Sequence, residues 1–417
     1  MDQTPGRRQS YPMASPRLRT AVIGTGFVGP FHVDAVRRAG FADVVALVGS
    51  DPERTAARAS ALGVPTGTTD LAAVLGDASI DVVHVCTPNR THVELATAVL
   101  EAGKHLVLEK PVALTAADGY GLADLALQRG RHAAVALTYR GYPMVRRARA
   151  AVAAGELGET RLVHGAYIQD WLSDPGDYNW RLEPEVGGAS RAVADIGSHW
   201  FDTAEFIAGR RVEAVFADLA TFLPRRTRPI GGSTAFSVGE GPSEEVEVHS
   251  EDAATILVRF EGGARGACVV SQVSPGRKNG LTLEVAGSRA TLDWDQEDPE
   301  HLWIRTREEA RLLTRGLADG PVAGSPGVPS LPAGHPEGWA EALRDLLRPF
   351  YAAVASGDSP PARGSLGGTY PTLEDGARGV SFVEAVLMSS TSGHWARIER
   401  SPGVVPRDIG RSVRQPS

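Results

Sequence analysis

Two short segments carry side chains suited to moving a proton and steadying a negative oxygen. Glu109-Lys110-Pro111 follows directly on the apolar run His105–Leu108. An ammonium at the end of such a run can donate hydrogen bonds to a substrate hydroxyl and stabilise an alkoxide as it forms. Pro111 restricts the exiting backbone and so the aim of Lys110. Further along, Gly187-Gly188-Ala189-Ser190-Arg191 leads into Asp195-Ile196-Gly197-Ser198-His199-Trp200-Phe201-Asp202. On a helix, Asp195 and His199 share one face and Asp202 reaches the same side. A carboxylate beside an imidazole is a workable acid–base unit, because it orients the ring and raises its basicity. The plainer alternative is an N-cap aspartate with a packed histidine. Asp195, His199 and Asp202 nominally make three ligands, but the acid–base reading is preferred and no metal is expected.

Tyr167-Ile168-Gln169-Asp170-Trp171 ends one strand-like run, and Tyr178-Asn179-Trp180-Arg181 follows it. Aromatic faces beside amide, carboxylate and guanidinium groups suit a sugar ring, which is apolar on its faces and polar at its rim. Core aromatics with polar loop neighbours are an equal alternative. Tyr139-Arg140 is placed at the entrance to this pocket, and His335, in His335-Pro336-Glu337-Gly338-Trp339, on its wall.

A third segment supplies a cofactor site. The strand-like run 20–23 feeds into Gly24-Thr25-Gly26-Phe27-Val28-Gly29, and a helical pattern begins at once. Gly24 permits the tight turn, Gly26 lets backbone approach a pyrophosphate, and Gly29 lets helix and strand pack closely. The phosphates then meet the helix N-terminus and its unpaired N–H groups. The slot that often carries an acidic residue for the ribose falls near Gly49-Ser50, with Asp51 and Arg54 just beyond. No carboxylate stands in the slot and no arginine follows directly, so NAD and NADP both remain open, with a lean to NAD. Cys86-Thr87-Pro88-Asn89 closes the third of these strands and is placed to touch the ribose or nicotinamide; a proline turn without ligand is the alternative. His92 opens the next helix as a packed or capping residue.

The elements that must position these groups are legible as patterns. Runs 20–23, 43–48, 81–86, 105–108 and 133–137 alternate with helical patterns at 28–39, 52–61, 91–102 and 115–129. That alternation predicts a parallel sheet with crossover helices. Thr91 with Glu94, and Thr115 with Asp118, have capping-box spacing, and Asp51 before Pro52 suits an N-cap. Beyond about 140 the pattern changes to a helix at 146–155, strands at 161–168, 211–218, 254–260, 265–273, 280–286 and 289–293, and helices at 335–355 and 373–391. Short connections there predict a largely antiparallel sheet. Gly and Pro crowd at 224–244, 309–338 and 357–372, which predicts long loops.

The expected fold is therefore α/β. A flexible N-terminus (1–17) precedes a dinucleotide-binding Rossmann domain (18–140). An α/β domain with a large open, mostly antiparallel sheet follows (141–398), for substrate binding and oligomerisation, and then a tail (399–417).

Composition narrows the partners. Net charge is −7 over 417 residues and no long basic block occurs, so nucleic acid is not expected as a partner. No run of 18 apolar residues predicts a membrane span, and no signal-peptide core precedes the first strand, so a cytoplasmic location is expected. Cys86 and Cys268 are the sole cysteines and read as buried thiols.

Together, Gly24–Gly29, Cys86-Thr87-Pro88-Asn89-Arg90-Thr91-His92, Glu109-Lys110-Pro111 and Asp195–His199 resemble the signatures of the glucose–fructose oxidoreductase / inositol dehydrogenase / rhizopine-catabolism protein family of NAD(P)-dependent sugar and cyclitol oxidoreductases. The resemblance covers about residues 18–398. It implies hydride transfer between a secondary hydroxyl of a sugar, glycoside or cyclitol and nicotinamide. Lys110 would polarise the hydroxyl, His199 act as base and Asp195 bind substrate. It also implies cofactor contacts from Phe27, Val28, His92, Glu109 and Lys110, and a homodimer or homotetramer built on the open sheet. Glycoside cleavage with a retained dinucleotide, and a non-catalytic nicotinamide-binding regulator, are the alternatives. The loop 224–244 is expected to close over the pocket or extend the subunit interface.

Overall fold

The computed structural model describes residues 17–230, 242–316, 331–364 and 368–400. Residues 1–16 of the expected N-terminal segment (1–17), the centre of the 224–244 stretch and residues 401–417 of the expected tail (399–417) lie outside the described residues.

The first half builds one parallel sheet. In chain order its elements are β1 (Leu18–Ile23), α1 (Gly29–Ala39), β2 (Ala42–Val48), α2 (Pro52–Ala61), β3 (Thr66–Thr68), α3 (Leu71–Gly76), β4 (Val82–Val85), α4 (His92–Glu101), β5 (His105–Leu108), α5 (Ala116–Gln128) and β6 (Ala133–Val135). The strand order is β3-β2-β1-β4-β5-β6, all parallel. This is the doubly wound dinucleotide-binding order, whose chain reversal opens a crevice at the strand carboxyl ends. Asp51 caps α2, accepting the Arg54 N–H at 2.7 Å. Thr115 caps α5 in the same way at 3.2 Å. Thr91 does not cap α4: its hydroxyl donates to Thr87 Oγ1 and to the Pro88 carbonyl, because a 3₁₀ turn over Asn89–Thr91 precedes the helix. The short elements β3 and α3 were not legible as patterns, and β6 ends two residues early, giving way to a 3₁₀ turn at Thr138–Gly141.

The second half builds a mixed nine-stranded sheet. It comprises α6 (Pro143–Ala153), β7 (Thr160–Ile168), α7 (Pro184–Gly187), α8 (Ser198–Ala208), β8 (Val212–Ala220), β9 (Arg225–Pro229), β10 (Ser243–Glu247), β11 (Ala253–Phe260), β12 (Arg265–Ser271), β13 (Gly280–Gly287), β14 (Thr291–Asp295), β15 (His301–Arg305), β16 (Ala310–Thr314), α9 (Trp339–Ser356), α10 (Leu373–Ser392) and β17 (Ala396–Arg397). The order is β16-β15-β14-β13-β7-β12-β11-β8-β17, antiparallel throughout except for the β7–β12 pair. Instead of an uninterrupted loop, 224–244 contains β9 and the start of β10, which form a separate hairpin. The stretch 309–338 likewise contains β16, whose partner β15 alternates buried and half-buried residues.

One face of this sheet packs on α6, α8 and α10 in a core that includes Val163, Trp200, Ile256, Cys268, Leu283 and Phe382. The other face carries half-exposed Leu162, Leu257 and Val269. Helix α9 returns to the first sheet, where Leu343, Leu347, Phe350 and Tyr351 bury against α1 and the strands. The two sheets are thereby fastened together around the cleft.

Candidate active site

The glycine turn has the shape its spacing predicts. Gly24 sits at φ +112°, and a Cβ there would meet the Cys86 carbonyl oxygen at 2.3 Å. A Cβ on Gly29 would lie 2.2 Å from the Gly24 carbonyl oxygen, so strand and helix approach too closely for any side chain. A Cβ on Gly26 would meet nothing within 4 Å. That space opens before the N-terminus of α1, whose cap residue Val28 supplies no side-chain hydrogen bond. Uncapped N–H groups beside a side-chain-free approach fit a dinucleotide pyrophosphate. Phe27 stands exposed at the same turn. At the end of β2, Asp51 is committed to its capping bond, while Ser50 and Arg54 are exposed.

Lys110 projects from the end of β5. Its Nζ donates to the Asp195 carbonyl oxygen at 2.7 Å and to Asp195 Oδ1 at 2.8 Å. Asp195 lies on a single π turn, Val193–Gly197, that runs into α8. Its Oδ1 also accepts from Arg181 Nε at 3.1 Å, and its Oδ2 from Gln272 Nε2 at 2.9 Å. Burial pushes the carboxyl pKa up, but Arg181 and Lys110 outweigh it and hold the group well below the usual carboxylate range. Asp195 is therefore a fixed anion.

The expected Asp195–His199 acid–base pair is not formed. Both carboxylate oxygens are taken by Lys110, Arg181 and Gln272, and the π turn breaks the regular four-residue register that would stack the two side chains. His199 instead lies edge-on to the Tyr139 ring, with centroids 5.0 Å apart. No hydrogen bond to its ring is seen among the described residues. Burial and the Lys110 charge lower its pKa to about 3, against opposing contributions from Asp195 and Glu109. The imidazole is neutral over the physiological range and free to accept.

Tyr139 and Tyr167 share a short hydroxyl–hydroxyl bond. Asn279 accepts from Tyr167 at 2.7 Å and from Gln169 Nε2 at 2.7 Å. Trp171 Nε1 donates to Gln169 Oε1 at 2.9 Å. The Arg181 guanidinium lies 4.4 Å from the Trp180 ring centroid and 5.9 Å from that of Trp171. This polar–aromatic wall stands beside the Lys110–Asp195 junction. Gln272 and Asn279 were missed as site residues. A polar residue at the end of an apolar strand, as at Gln272 after β12, was the available signal.

Several expected site residues serve elsewhere. Arg140 is buried and paired with Asp202 and Asp375, so it braces the domain junction and leaves the cleft. Asp202 is consumed by the same pairing and does not join Asp195. Asp170 accepts from Lys278 at 2.6 Å and from the Gly276 N–H at 3.1 Å, which pins its loop. His335 is exposed, its carbonyl accepting from Arg315 at 2.5 Å, in the neighbourhood of Glu300 and Glu337. His92 is fully buried, with ring nitrogens 2.6 Å from the Pro111 carbonyl oxygen and 2.8 Å from that of Thr87. It ties the loops after β4 and β5 together. Asn89 Nδ2 donates across to the Gly187 carbonyl at 3.2 Å, joining that loop to the second half.

Residues 18–137 match the oxidoreductase family with an NAD-binding Rossmann fold, and residues 145–293 match the GFO/IDH/MocA C-terminal domain. The chain belongs to the Gfo/Idh/MocA oxidoreductase family. Within that family it is 30% identical over 399 residues to levoglucosan dehydrogenase of Pseudarthrobacter phenanthrenivorans, covering 91% of this chain and 98% of the relative. The solved structure of levoglucosan dehydrogenase in complex with NADH and L-sorbose superposes with a TM-score of 0.81 at 28% identity, covering 92% of this chain and all of that one. An oxidoreductase domain protein from Kribbella flavida gives a TM-score of 0.81 at 33% identity over 93% of this chain and 100% of that chain. The nicotinamide dinucleotide is thus the family's cofactor, and Gly24–Gly29 is the turn in this Gfo/Idh/MocA member that fits it.

Proposed function

We propose that this enzyme oxidises a secondary hydroxyl of a sugar, anhydrosugar or cyclitol with NAD as the preferred acceptor. The observation that carries the reading is a convergence. Lys110 from the first sheet is fixed on Asp195 of the second half, and its charge acts on the buried, neutral His199. Similarity to levoglucosan dehydrogenase supports the substrate class.

When bound, the nicotinamide supplies the two-electron acceptor. The chain's own groups do the rest. Two N–H bonds of Lys110 are spent on Asp195, which leaves one donor for the substrate oxygen. That donor steadies the negative charge that builds as the proton leaves. His199 Nδ1 or Nε2 takes the hydroxyl proton. Its lowered basicity keeps it unprotonated and ready; the same lowering means the proton must pass on promptly to water. The Trp171–Arg181–Trp180 wall offers ring faces and a charged rim to the sugar.

We also infer a cytoplasmic homo-oligomer. Both cysteines are free, buried thiols, and the half-exposed apolar residues on the outer face of the nine-stranded sheet suit contact with a second copy. Absorbance of reduced nicotinamide, with NAD and NADP each tried against levoglucosan, myo-inositol and D-xylose, tests the activity. Accumulation of reduced cofactor with at least one of them supports it. Sugar cleavage without accumulation points instead to redox-neutral chemistry.

A further inference from the structure

A buried hydrogen-bonded chain begins directly behind the Lys110 loop. Glu109 Oε2 accepts the backbone N–H of Lys110 at 3.1 Å. Glu109 Oε1 lies 2.9 Å from His32 Nε2. His32 Nδ1 lies 2.9 Å from His84 Nδ1, His84 Nε2 lies 2.7 Å from the Tyr351 hydroxyl, and that hydroxyl lies 3.0 Å from Thr20 Oγ1. The five side chains come from the residue just after β5 and from α1, β4, α9 and β1. His32, His84, Tyr351 and Thr20 are fully buried.

Glu109 decides the direction. A carboxylate only accepts, so His32 Nε2–H donates to it. With a second proton on Nδ1, His32 donates to His84, His84 to Tyr351 and Tyr351 to Thr20, and each member of the chain is then satisfied. Cys86, Glu109 and His84 are the titratable groups facing His32, with Lys110 beyond Glu109 and Tyr351 behind His84. The Cys86 thiol is pushed up by burial and stays neutral. Glu109 is held below its ordinary value by His32 and Lys110, against burial. His84 is held well down by burial and by His32. Burial pushes the His32 pKa down, but Cys86 and then Glu109 outweigh it and raise it to about 10; Glu109 is the partner to which its Nε2–H donates.

We propose that His32 is a positioning residue for the reaction: by clamping Glu109 it fixes the backbone from which Lys110 projects, and so sets the ammonium against Asp195. A half-filled chain would be costly in so dry a place, because an orphaned buried donor or acceptor forfeits its full solvation. The nearer consequence is geometric. Glu109 without His32 turns to find another donor, and the Lys110 N–H loses its acceptor. The proposal rests on the reading of Lys110 given above, yet it is tested without turnover.

Lys104, Lys110 and Lys278 are the chain's lysines, which makes selective acylation a clean report. The NADH-bound protein is treated with trace acetic anhydride, and the three peptides are quantified by mass spectrometry. In His32→Leu, acylation of Lys110 relative to Lys278 rises at least about fivefold as the ammonium leaves Asp195, while Lys104 keeps its ratio. His32→Gln retains a donor to Glu109, while its carbonyl oxygen accepts from His84 in the other tautomer, and it holds the native ratio to within about twofold. Tyr351→Phe removes one hydroxyl at the far end and serves where His32→Leu does not fold; it gives a smaller rise at Lys110 alone. An unchanged Lys110 ratio, or a rise in all three lysines together, overturns the proposal.

A kinetic cycle with levoglucosan and NAD adds a second report: His32→Leu slows kcat about tenfold in the native background and adds little in the Lys110→Ala background. Equal losses in both backgrounds overturn the proposal. A Lys110→Ala variant of undiminished activity sinks the catalytic reading of Lys110 and leaves the acylation result standing on its own.

Discussion

Lys110 holds Asp195 by two bonds at once, through the carbonyl oxygen at 2.7 Å and the carboxylate at 2.8 Å, although the residues are 85 positions apart. The contact joins the end of the first sheet to the π turn that leads into α8. Loss of either partner changes charge, position and domain contact together.

Lys110→Ala is expected to lower the turnover rate about a hundredfold or more, the usual effect of removing a charged donor from a developing oxyanion. Dinucleotide affinity should stay within a few-fold, since the glycine turn is untouched. Lys110→Arg should not restore the rate, because a planar guanidinium cannot reproduce the same pair of bonds to Asp195 and still reach the substrate. Stopped-flow kinetics beside a fluorescence titration with NADH checks both.

His199→Asn should cost roughly a hundred- to ten-thousandfold in rate, the range for a lost general base. The pH profile carries the sharper expectation. His199 titrates near 3 in the fold and about 6.5 when unfolded. The unfolded chain therefore binds more protons in that window, and stability falls as pH drops through it. Denaturant titrations at pH steps should show this slope reduced in His199→Asn. The native kcat/KM should show no acid limb from this group until pH approaches about 3.

The glycine turn separates fold from binding. Gly26→Val should leave the melting temperature nearly unchanged, because nothing lies within 4 Å of the new Cβ. It should weaken dinucleotide binding by at least about tenfold by filling the approach of the pyrophosphate. Gly24→Ala should instead destabilise by about 1–3 kcal/mol or more, since it sets a side chain against the Cys86 carbonyl at positive φ. Calorimetry and NADH titration on the two variants resolve the contrast.

Asp252 is a buried anchor for the cleft wall. It accepts from Arg226 at 2.9 Å and from Arg191, while Arg226 also reaches the Asp174 and Asp177 carbonyls at 3.2 Å. Asp252→Asn leaves two guanidinium groups buried without their anion. It should cost about 3–5 kcal/mol of stability. In protein that remains folded, the KM for sugar should rise while NADH affinity is kept.

Much of this was legible in the chain. The glycine spacing, the strand–helix alternation and the Lys110, Asp195 and His199 segments each carried a local signal, and short connections marked six strands of the second sheet. What stayed hidden depended on partners distant in sequence. Arg140 reads as a cleft residue until Asp202 and Asp375 close around it. Asp195 reads as the partner of His199 until the π turn and Lys110 claim its oxygens. His32 lies 52 positions from His84 and 77 from Glu109, so no local pattern marks it. The β15–β16 hairpin did carry an alternation, in His301–Arg305, but it was passed over just before the Gly- and Pro-rich stretch that starts at 309.

Transfer of a carbon-bound hydrogen from sugar to nicotinamide is the event to which Lys110 and His199 are assigned. Mass spectrometry of the dinucleotide recovered after reaction with carbon-deuterated levoglucosan, myo-inositol or D-xylose reads that transfer directly. Reduced cofactor one mass unit heavier, formed by the native protein and nearly absent with Lys110→Ala, is the predicted result. Unlabelled dinucleotide with all three compounds, or equal labelling by both proteins, would contradict it.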